Sequence, residues 1–269
     1  MNNAPIGVYD SGFGGLSVWR EIRRRLPEES LLYLGDGKNC PYGGRGREQI
    51  TRFAEEAVER LLAAGAKLIV VGCNTATTAA VEHLRARWSD IPIVGLEPAV
   101  KPACLTTKTR RIAVLATAHS LASDMFLRTA ARYAQDVEVV KVVGEGFVEL
   151  VEEGREHTPE AEAAVRRVVE PLFDMQVDKI VLGCTHYPFL APVLRRVIGD
   201  REIDIIDSGE AVARRVEWFL DRYDMRAERG SMPKYEFMTF ADEQYRARLQ
   251  ARALGAELSP NVDNNTELK

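Results

Sequence analysis

Two segments of the chain share one plan, in which a lysine precedes an apolar run that ends in Gly-Cys. Residues 67–74 have the sequence KLIVVGCN, and residues 179–186 have the sequence KIVLGCTH. A short uninterrupted apolar run is typical of a parallel strand that is buried on both faces. Ligands of open α/β sheets bind at the carboxyl ends of the strands, so each cysteine is predicted to lie at a binding edge. The repeat therefore indicates an α/β fold with two equivalent sheet edges.

Apolar runs of this kind alternate with amphipathic helix patterns along the chain. The predicted strands lie at residues 6–9, 31–34, 68–72, 91–95, 112–116, 137–143, 180–183, 203–206 and 235–240. The predicted helices lie at residues 16–26, 48–64, 77–88, 122–133, 160–175, 191–198 and 209–223. This alternation predicts βα units and parallel sheets with helices on both faces.

The chain also divides into two similar halves. The segments IGVYDS (6–11) and IAVLAT (112–117) are both apolar runs that end in a small polar loop, and each precedes a Gly-Cys run. We therefore predict two similar α/β domains with parallel-sheet cores, related by pseudo-two-fold symmetry, with the active site in the cleft between them. The predicted first domain comprises residues 1–97 and 208–269, and the second comprises residues 98–207. Residues 261–269 are polar and are expected to be loosely held.

Composition and charge limit the classes of partner. The chain has 269 residues, of which 46% are hydrophobic and 28% charged, and its formal net charge is −4. Nucleic-acid binding requires clustered cations, so we expect no nucleic-acid partner. No apolar run approaches the roughly 18 residues of a membrane-spanning helix, and the first residues lack the pattern of a signal peptide. We expect no membrane partner, a cytoplasmic location and four free thiols rather than a disulfide framework.

A pair of thiols at equivalent positions permits chemistry that one thiol does not. A lone buried cysteine usually behaves as a small hydrophobic residue, but two thiols across a cleft can act as acid and base on opposite faces of one carbon. Cys73 and Cys184 both fall at predicted strand-to-helix turns, where free main-chain N–H groups stabilise an anion. His186 is a candidate proton carrier, and Asp10 is a candidate to bind an ammonium group or assist Cys73. A turn-capping Asp10 and a hydrogen-bonded loop His186 are the structural alternatives.

Short polar side chains at the strand ends are candidates for substrate binding. Because they lie beside predicted helix starts, they suit a carboxylate ligand, although ordinary N-caps have the same composition. The turn Pro41-Tyr42-Gly43 is a further candidate, since its main-chain amides can close over a ligand. The polar candidates are Asp10, Ser11, Asn74, Thr75, Thr185 and His186.

Other classes of site fit the sequence less well. The glycines after Asp10 lack the GxGxxG spacing of dinucleotide-binding loops, and no P-loop Gly-Lys-Ser/Thr follows them. Cys184-Thr185-His186 is not a usual zinc spacing and no CxxC accompanies it, so we expect neither a metal nor a cofactor. A cysteine hydrolase would leave Cys73 without a role. A binding or regulatory module with inert thiols is the alternative to an enzyme, and slow, equal alkylation of all four cysteines would favour it.

Four blocks of the sequence resemble the signature blocks of bacterial glutamate racemases, in the aspartate/glutamate racemase family. They are DSGFGGL at 10–16, GD at 35–36 with PYG at 41–43, CNTA at 73–76 and GCTHYP at 183–188. Glu97-Pro98 and Asp207-Ser208-Gly209 also stand where that family has them. Aspartate racemases, which also use a cysteine pair, usually differ around these blocks.

The resemblance implies a cofactor-independent isomerase that interconverts L- and D-glutamate with two cysteines and supplies D-glutamate for peptidoglycan. Cys73 would remove the α-proton of D-glutamate with the help of Asp10, and Cys184 that of L-glutamate with the help of His186 and Glu152. The doublet Glu152-Glu153 leaves open which glutamate assists. The resemblance also implies a homodimer. The substrate-binding residues it implies are Asp10, Ser11, Pro41, Tyr42, Gly43, Asn74, Thr75, Thr117, Ser120, Thr185 and His186.

Overall fold

The computed structural model describes residues 2–255, in which strands and helices alternate. The strands are β1 (Ile6–Asp10), β2 (Leu31–Gly35), β3 (Leu68–Val71), β4 (Ile93–Gly95), β5 (Arg111–Ala116), β6 (Glu138–Val143), β7 (Lys179–Leu182), β8 (Asp204–Ile206) and β9 (Tyr235–Thr239). The α-helices are α1 (Leu16–Arg25), α2 (Arg47–Ala63), α3 (Asn74–Arg87), α4 (Val100–Thr106), α5 (Ala118–Ala122), α6 (Asp124–Tyr133), α7 (Phe147–Glu152), α8 (Pro159–Val169), α9 (Ala191–Ile198), α10 (Gly209–Arg222) and α11 (Glu243–Leu254). Of the helices in this part of the chain, none has the length and apolar character needed to cross a membrane.

The strands form two parallel sheets that share one strand order. The first sheet has the order β4-β3-β1-β2-β9, and the second has the order β8-β7-β5-β6. Every pair of neighbouring strands is parallel. The predicted α/β class with two parallel-sheet cores is confirmed. Because β3 and β7 occupy the same place in the two orders, the residues that follow them lie at equivalent edges.

Burial on both faces explains why the strands consist of consecutive apolar residues. In β1, Val8 belongs to a core cluster with Trp19 and Ile22 of α1, whereas Tyr9 belongs to the cluster built with α2 and α3 on the other face. A side chain such as Ile22, which is fully buried, contributes about 1.5–3 kcal/mol to folding. The second sheet is covered in the same way by α7, α8 and α9 on one face and by α4 and α6 on the other.

Residues from the far end of the chain complete the first core. Strand β9 pairs in parallel with β2 and so extends the first sheet at its edge. Helix α10 packs on α1 through Val212, Ala213 and Val216, and α11 contributes Leu249 to the same cluster. The first core is therefore built from two stretches of sequence that lie on either side of the second.

Two predicted helices are shorter in the structure, one at its start and the other at its end. The helix predicted over 122–133 begins at Asp124, because Ser123 Oγ accepts the main-chain N–H of Phe126 at 3.2 Å and caps α6. The helix predicted over 160–175 ends at Val169 and a 3₁₀ turn, Glu170–Leu172, follows. Pro171 lacks the N–H that would continue the helix.

Four helices have no counterpart in the prediction. Helices α4, α5 and α7 span 7, 5 and 6 residues, which is too short for a helical period to show. Helix α11 spans 12 residues but is rich in charge, and Asp242, whose carboxylate accepts the N–H of Tyr245 at 2.8 Å, is the one signal of its start. The prediction for residues 261–269 lies outside the described residues.

Candidate active site

Cys73 lies just beyond the end of β3 and caps α3. Its Sγ accepts the main-chain N–H of Ala76 at 3.4 Å, and its thiol donates to Ser11 Oγ at 3.7 Å. The residue is 5% exposed. Burial raises the pKa of the Cys73 thiol to about 12, and the negative charge of Asp10 acts in the same direction. Cys73 therefore holds its proton at neutral pH.

Cys184 lies at the equivalent place beyond β7, and an imidazole stands beside it. Its Sγ is 3.8 Å from Nδ1 of His186, whose Nε2 is 2.6 Å from Oε1 of Glu152. Burial by itself would lower the pKa of His186, but hydrogen bonds with Cys184, Cys40 and Glu152 outweigh it and raise that pKa well above its usual value. The Cys184 thiol thus has a proton carrier in direct contact, in contrast to the Cys73 thiol.

Glu152 is the glutamate that holds this imidazole. Its Oε1 also accepts the main-chain N–H of Phe13 at 2.7 Å, and its Oε2 accepts the hydroxyl of Tyr245 at 2.9 Å. Burial opposes ionisation, but the hydrogen bonds and the charge of His186 prevail, so the pKa of Glu152 is lowered. Glu153 instead forms an exposed ion pair with Arg155. The structure therefore places Glu152, and not Glu153, in contact with His186.

Asp10 ends β1 and connects the first sheet to the second cysteine loop. Its Oδ1 accepts the N–H of Gly12 at 2.7 Å, and its Oδ2 accepts the hydroxyl of Thr185 at 2.9 Å. Burial raises the pKa of Asp10 to about 6, despite the opposing effects of His186 and these hydrogen bonds. Among residues 2–255 no hydrogen bond joins Asp10 to Cys73. Asp10 therefore acts on that thiol through its charge.

A cavity of about 310 Å³ lies between the two cysteines. This volume is at the lower end of the range for small-molecule sites, about 300–1,000 Å³. Asp10, Ser120 and Glu152 are not part of the lining and support it from behind. The predicted residues that do line the cavity are Ser11, Pro41, Tyr42, Gly43, Cys73, Asn74, Thr75, Thr117, Cys184, Thr185 and His186.

Some polar groups around the cavity already have hydrogen-bond partners within the protein, and others do not. The hydroxyl of Tyr42 donates to Asp36 at 2.6 Å and accepts from Tyr9 at 2.7 Å, so its phenol is occupied. Within the described part of the chain, Nδ2 of Asn74 is buried and has no hydrogen-bond partner. A buried donor without a partner is costly. Asn74 is therefore suited to bind an acceptor on a ligand.

Two glycines allow the loop after β1 to approach Glu152 and Thr185 closely. A Cβ on Gly12 would lie 2.7 Å from Cδ of Glu152, and a Cβ on Gly14 would lie 2.6 Å from Oγ1 of Thr185. Contacts this short do not occur in folded proteins. The glycines that follow Asp10 therefore serve close approach between the domains rather than the binding of a dinucleotide.

Comparison with known proteins agrees with this geometry. The model of the family described as Asp/Glu/hydantoin racemase matches residues 9–216. Curated glutamate racemases are similar over most of the chain. The one from Herpetosiphon aurantiacus is 44% identical over 93% of this chain and 98% of its own length. The one from Pseudomonas aeruginosa is 46% identical over 81% of this chain and 82% of its own length.

The chain belongs to the Asp/Glu/hydantoin racemase family. The resemblance seen in the sequence motifs is thereby confirmed. A glutamate racemase isoform from Bacillus anthracis superposes with a TM-score of 0.83 at 32% identity, covering 95% of both chains. The Escherichia coli glutamate racemase, solved with L-glutamate and the activator UDP-MurNAc-Ala, has a TM-score of 0.81 at 30% identity over 93% of this chain and 95% of its own.

Several residues that line or support the site were not predicted from the sequence. The loop between β6 and α7 lines the cavity with Gly144, Gly146 and Glu149, and Tyr187 lines it from the turn after Cys184. Gly146 has a φ of 76°, so its glycine identity was a usable signal of a turn. Tyr245, which donates to Glu152, gave no signal because α11 itself was not predicted.

The described residues contain a single group of side chains whose spacing suits a metal ion. The ligand atoms of Cys40, Glu152 and His186 all lie within 4.8 Å of one another. These residues are far apart in sequence. Motif spacing could not have revealed them.

Proposed function

We propose that this racemase-family chain interconverts L- and D-glutamate without a cofactor, with Cys73 and Cys184 as the acid and the base. The observation that carries the proposal is that two buried thiols reach one cavity from equivalent strand ends of the two sheets. Because the thiols come from different domains, a substrate held between them presents opposite faces of its α-carbon to each. Inversion of that carbon needs removal of a proton from one face and delivery to the other.

In the proposed reaction the two enantiomers use the same residues in opposite order. Cys184 removes the α-proton of L-glutamate, and Nδ1 of His186 stabilises the charge on the Cys184 sulfur. Cys73 then delivers a proton to the other face of the carbon. D-glutamate reacts in reverse, with Cys73 as the base beside Asp10. The raised pKa of the Cys73 thiol, a result of its burial, supports its role as the acid for L-glutamate.

The weak acidity of an amino-acid α-carbon makes stabilisation of the carbanion the main demand on the site. We propose that the substrate carboxylates accept hydrogen bonds from the side chains of Ser11, Asn74 and Thr75. Thr117 and Thr185 would contribute main-chain N–H groups, since their hydroxyls donate to Ser120 and Asp10. The free Nδ2 of Asn74 supports this assignment. Ser120 acts indirectly, since the hydroxyl of Thr117 donates to Ser120 Oγ at 3.0 Å and Thr117 lies 3.2 Å from the hydroxyl of Thr75. Closure of the two domains over the substrate is the proposed means of excluding water.

Movement of the two domains is the proposed route of entry for the substrate. We propose the division predicted from the sequence, with residues 1–97 and 208–269 in the first domain and 98–207 in the second. The two chain segments that connect the domains are in contact, because Ser208 Oγ donates to the main-chain oxygen of Glu97 at 2.6 Å. This contact supports a hinge there. A homodimer and a cytoplasmic role in supplying D-glutamate for peptidoglycan complete the proposal.

The structural neighbours support glutamate as the substrate. The Escherichia coli enzyme was solved with L-glutamate, and the Francisella tularensis glutamate racemase, 25% identical with a TM-score of 0.80, was solved with D-glutamate. The deciding experiment incubates the purified chain in D2O with L-glutamate, D-glutamate, L-aspartate and D-aspartate in parallel, without added cofactor. We expect α-deuterium and inversion with both glutamates and little of either with aspartate. No exchange with either glutamate would end the proposal, and faster exchange with aspartate would change the substrate.

A further inference from the structure

We propose that Cys40, Glu152 and His186 form a binding site for a thiol-seeking divalent cation such as Zn²⁺, placed behind the catalytic cavity. Their ligand atoms lie within 4.8 Å of one another. Cys40 does not line the cavity and has no part in the proposed reaction. One thiolate, one imidazole and one carboxylate are a ligand set that suits zinc and leaves a fourth position open to solvent.

The cluster packs closely against Gly12. A Cβ at this position would come 3.0 Å from Sγ of Cys40 and 2.7 Å from Cδ of Glu152. Glycine therefore lets the thiol and the carboxylate approach one another. Nε2 of His186 joins them, since it is in contact with Oε1 of Glu152.

The shift needed to bind an ion is small. Zinc bonds of about 2.3 Å to sulfur and about 2.0–2.2 Å to nitrogen and oxygen separate tetrahedral ligand atoms by about 3.4–3.6 Å. The widest pair, at 4.8 Å or less, must close by at most about 1.4 Å. The Glu152–His186 pair, at 2.6 Å, must open by about the same amount. Side-chain rotation supplies such shifts without movement of the sheets.

The local charge favours a cation. Burial raises the pKa of the Cys40 thiol to about 12, and the negative charges of Glu152 and Asp10 act in the same direction. Arg248 donates to the main-chain oxygen of Glu152 and not to its carboxylate. Binding displaces two protons, one from the Cys40 thiol and one from Nε2 of the protonated His186, as metal binding to cysteine and histidine generally does. An ion with two positive charges then balances the thiolate and the glutamate.

Occupancy of this site blocks the Cys184 half of the reaction. A neutral imidazole that binds an ion through Nε2 keeps its remaining proton on Nδ1. His186 then donates to Cys184 and cannot accept its proton. This inhibitory effect rests on the proposed function, whereas the binding itself does not.

The test of binding uses Co²⁺ and Zn²⁺ alone on chelator-stripped full-length protein. We expect one Co²⁺ per chain with the near-ultraviolet sulfur-to-cobalt absorption of a thiolate ligand, displaced by Zn²⁺. Cys40→Ser should remove that absorption and weaken Zn²⁺ binding by at least about tenfold. Cys104→Ser, a matched change at a free cysteine away from the cluster, should change neither. Absorption that persists in Cys40→Ser but disappears in Cys184→Ser would place the ion on the catalytic thiol and overturn the proposal. Absence of thiolate absorption in the unmodified chain would overturn it as well.

The test of the consequence compares zinc inhibition of racemisation in each variant with its own zinc-free rate. Zn²⁺ should inhibit the unmodified chain and Cys104→Ser at equal concentrations, while Cys40→Ser should need at least about ten times more. Equal sensitivity in all three would overturn the inhibitory role. A chain that binds Co²⁺ through Cys40 but does not racemise glutamate would refute the proposed function and leave the metal site standing.

Discussion

The two cysteine loops occupy equivalent places in two sheets of the same strand order, yet they handle a proton differently. On the Cys73 side the sulfur lies at a helix N-cap beside a hydroxyl and near the buried carboxylate of Asp10. On the Cys184 side the sulfur touches an imidazole that is held by Glu152. The first environment keeps a thiol protonated, and the second provides a carrier that can take the proton away.

The carboxylates on the two sides show the same difference. Asp10 and Glu152 are both largely shielded from solvent, but burial raises the pKa of Asp10, whereas hydrogen bonds from His186, Phe13 and Tyr245 lower that of Glu152. The equivalent positions of the two cysteines therefore do not give them equivalent surroundings. Each side is set by the partners that its carboxylate finds.

Removal of either thiol should have the largest effect on racemisation. Cys73→Ala and Cys184→Ala should each lower racemisation by about 10³-fold or more in both directions, because every turnover needs one acid and one base. Slow α-hydrogen exchange in D2O should survive only for L-glutamate in Cys73→Ala and only for D-glutamate in Cys184→Ala. NMR of the α-proton and chiral chromatography measure the two effects. The reverse pattern of exchange would contradict the assignment of the two faces.

The glutamate doublet offers a matched pair of variants on the Cys184 side. Glu152→Gln should lower kcat/KM by about 10²-fold, because the amide cannot stabilise a protonated His186. Glu153→Gln, at the exposed neighbour, should stay within about twofold. The two enantiomers have equal free energies in water, so kcat/KM must fall equally for both. Similar losses in the two variants would show that Glu152 has no special role.

The pKa of Asp10 is raised, whereas that of Glu152 is lowered, and this difference should appear in the pH dependence of stability. The pKa of Asp10 is raised from 3.8 to about 6 in the folded chain. The folded state therefore binds a proton more tightly than the unfolded state, and stability is lost as the pH rises from about 4 through about 6. Asp10→Asn should remove this loss and stabilise the protein by up to about 3 kcal/mol at pH 8, with little gain at pH 4. Urea unfolding across this pH range measures it, and an equal gain at both pH values would refute it.

The parts of this comparison that the sequence could predict are those that local pattern determines. The two Gly-Cys runs and the alternation of apolar segments gave the parallel sheets, and the motif blocks gave the residues that line the cavity. The partners of the thiols depend on tertiary contacts. Glu152 reaches Phe13 of the other domain, and Cys40 meets His186 across the chain. Such contacts leave no periodic pattern in the sequence. The difference between the surroundings of Cys73 and Cys184 is therefore seen only in the three-dimensional structure.

Tyr245 should give the smallest effect and the sharpest test of the asymmetry. Its hydroxyl, on a helix of the first domain, donates to Oε2 of Glu152 at 2.9 Å, and its ring packs on Phe13 with 4.7 Å between centroids. Tyr245→Phe removes the hydroxyl and keeps the ring. Because one hydrogen bond to Glu152 is lost, kcat/KM should fall by about three- to tenfold for both enantiomers. Tyr223→Phe, at a tyrosine that is 56% exposed, is the control and should change nothing.

Isotope effects distinguish a weakened Cys184 side from general damage to the site. In the proposed reaction, the α-carbon–hydrogen bond of L-glutamate breaks in the Cys184 step, and that of D-glutamate breaks in the Cys73 step. If Tyr245→Phe slows the Cys184 step alone, that step becomes more rate-limiting in both directions. The deuterium isotope effect on kcat/KM should then rise for α-deuterated L-glutamate and fall for the D-enantiomer. A variant in which both isotope effects move together would show that Tyr245 supports the fold of the site rather than one of its two thiols.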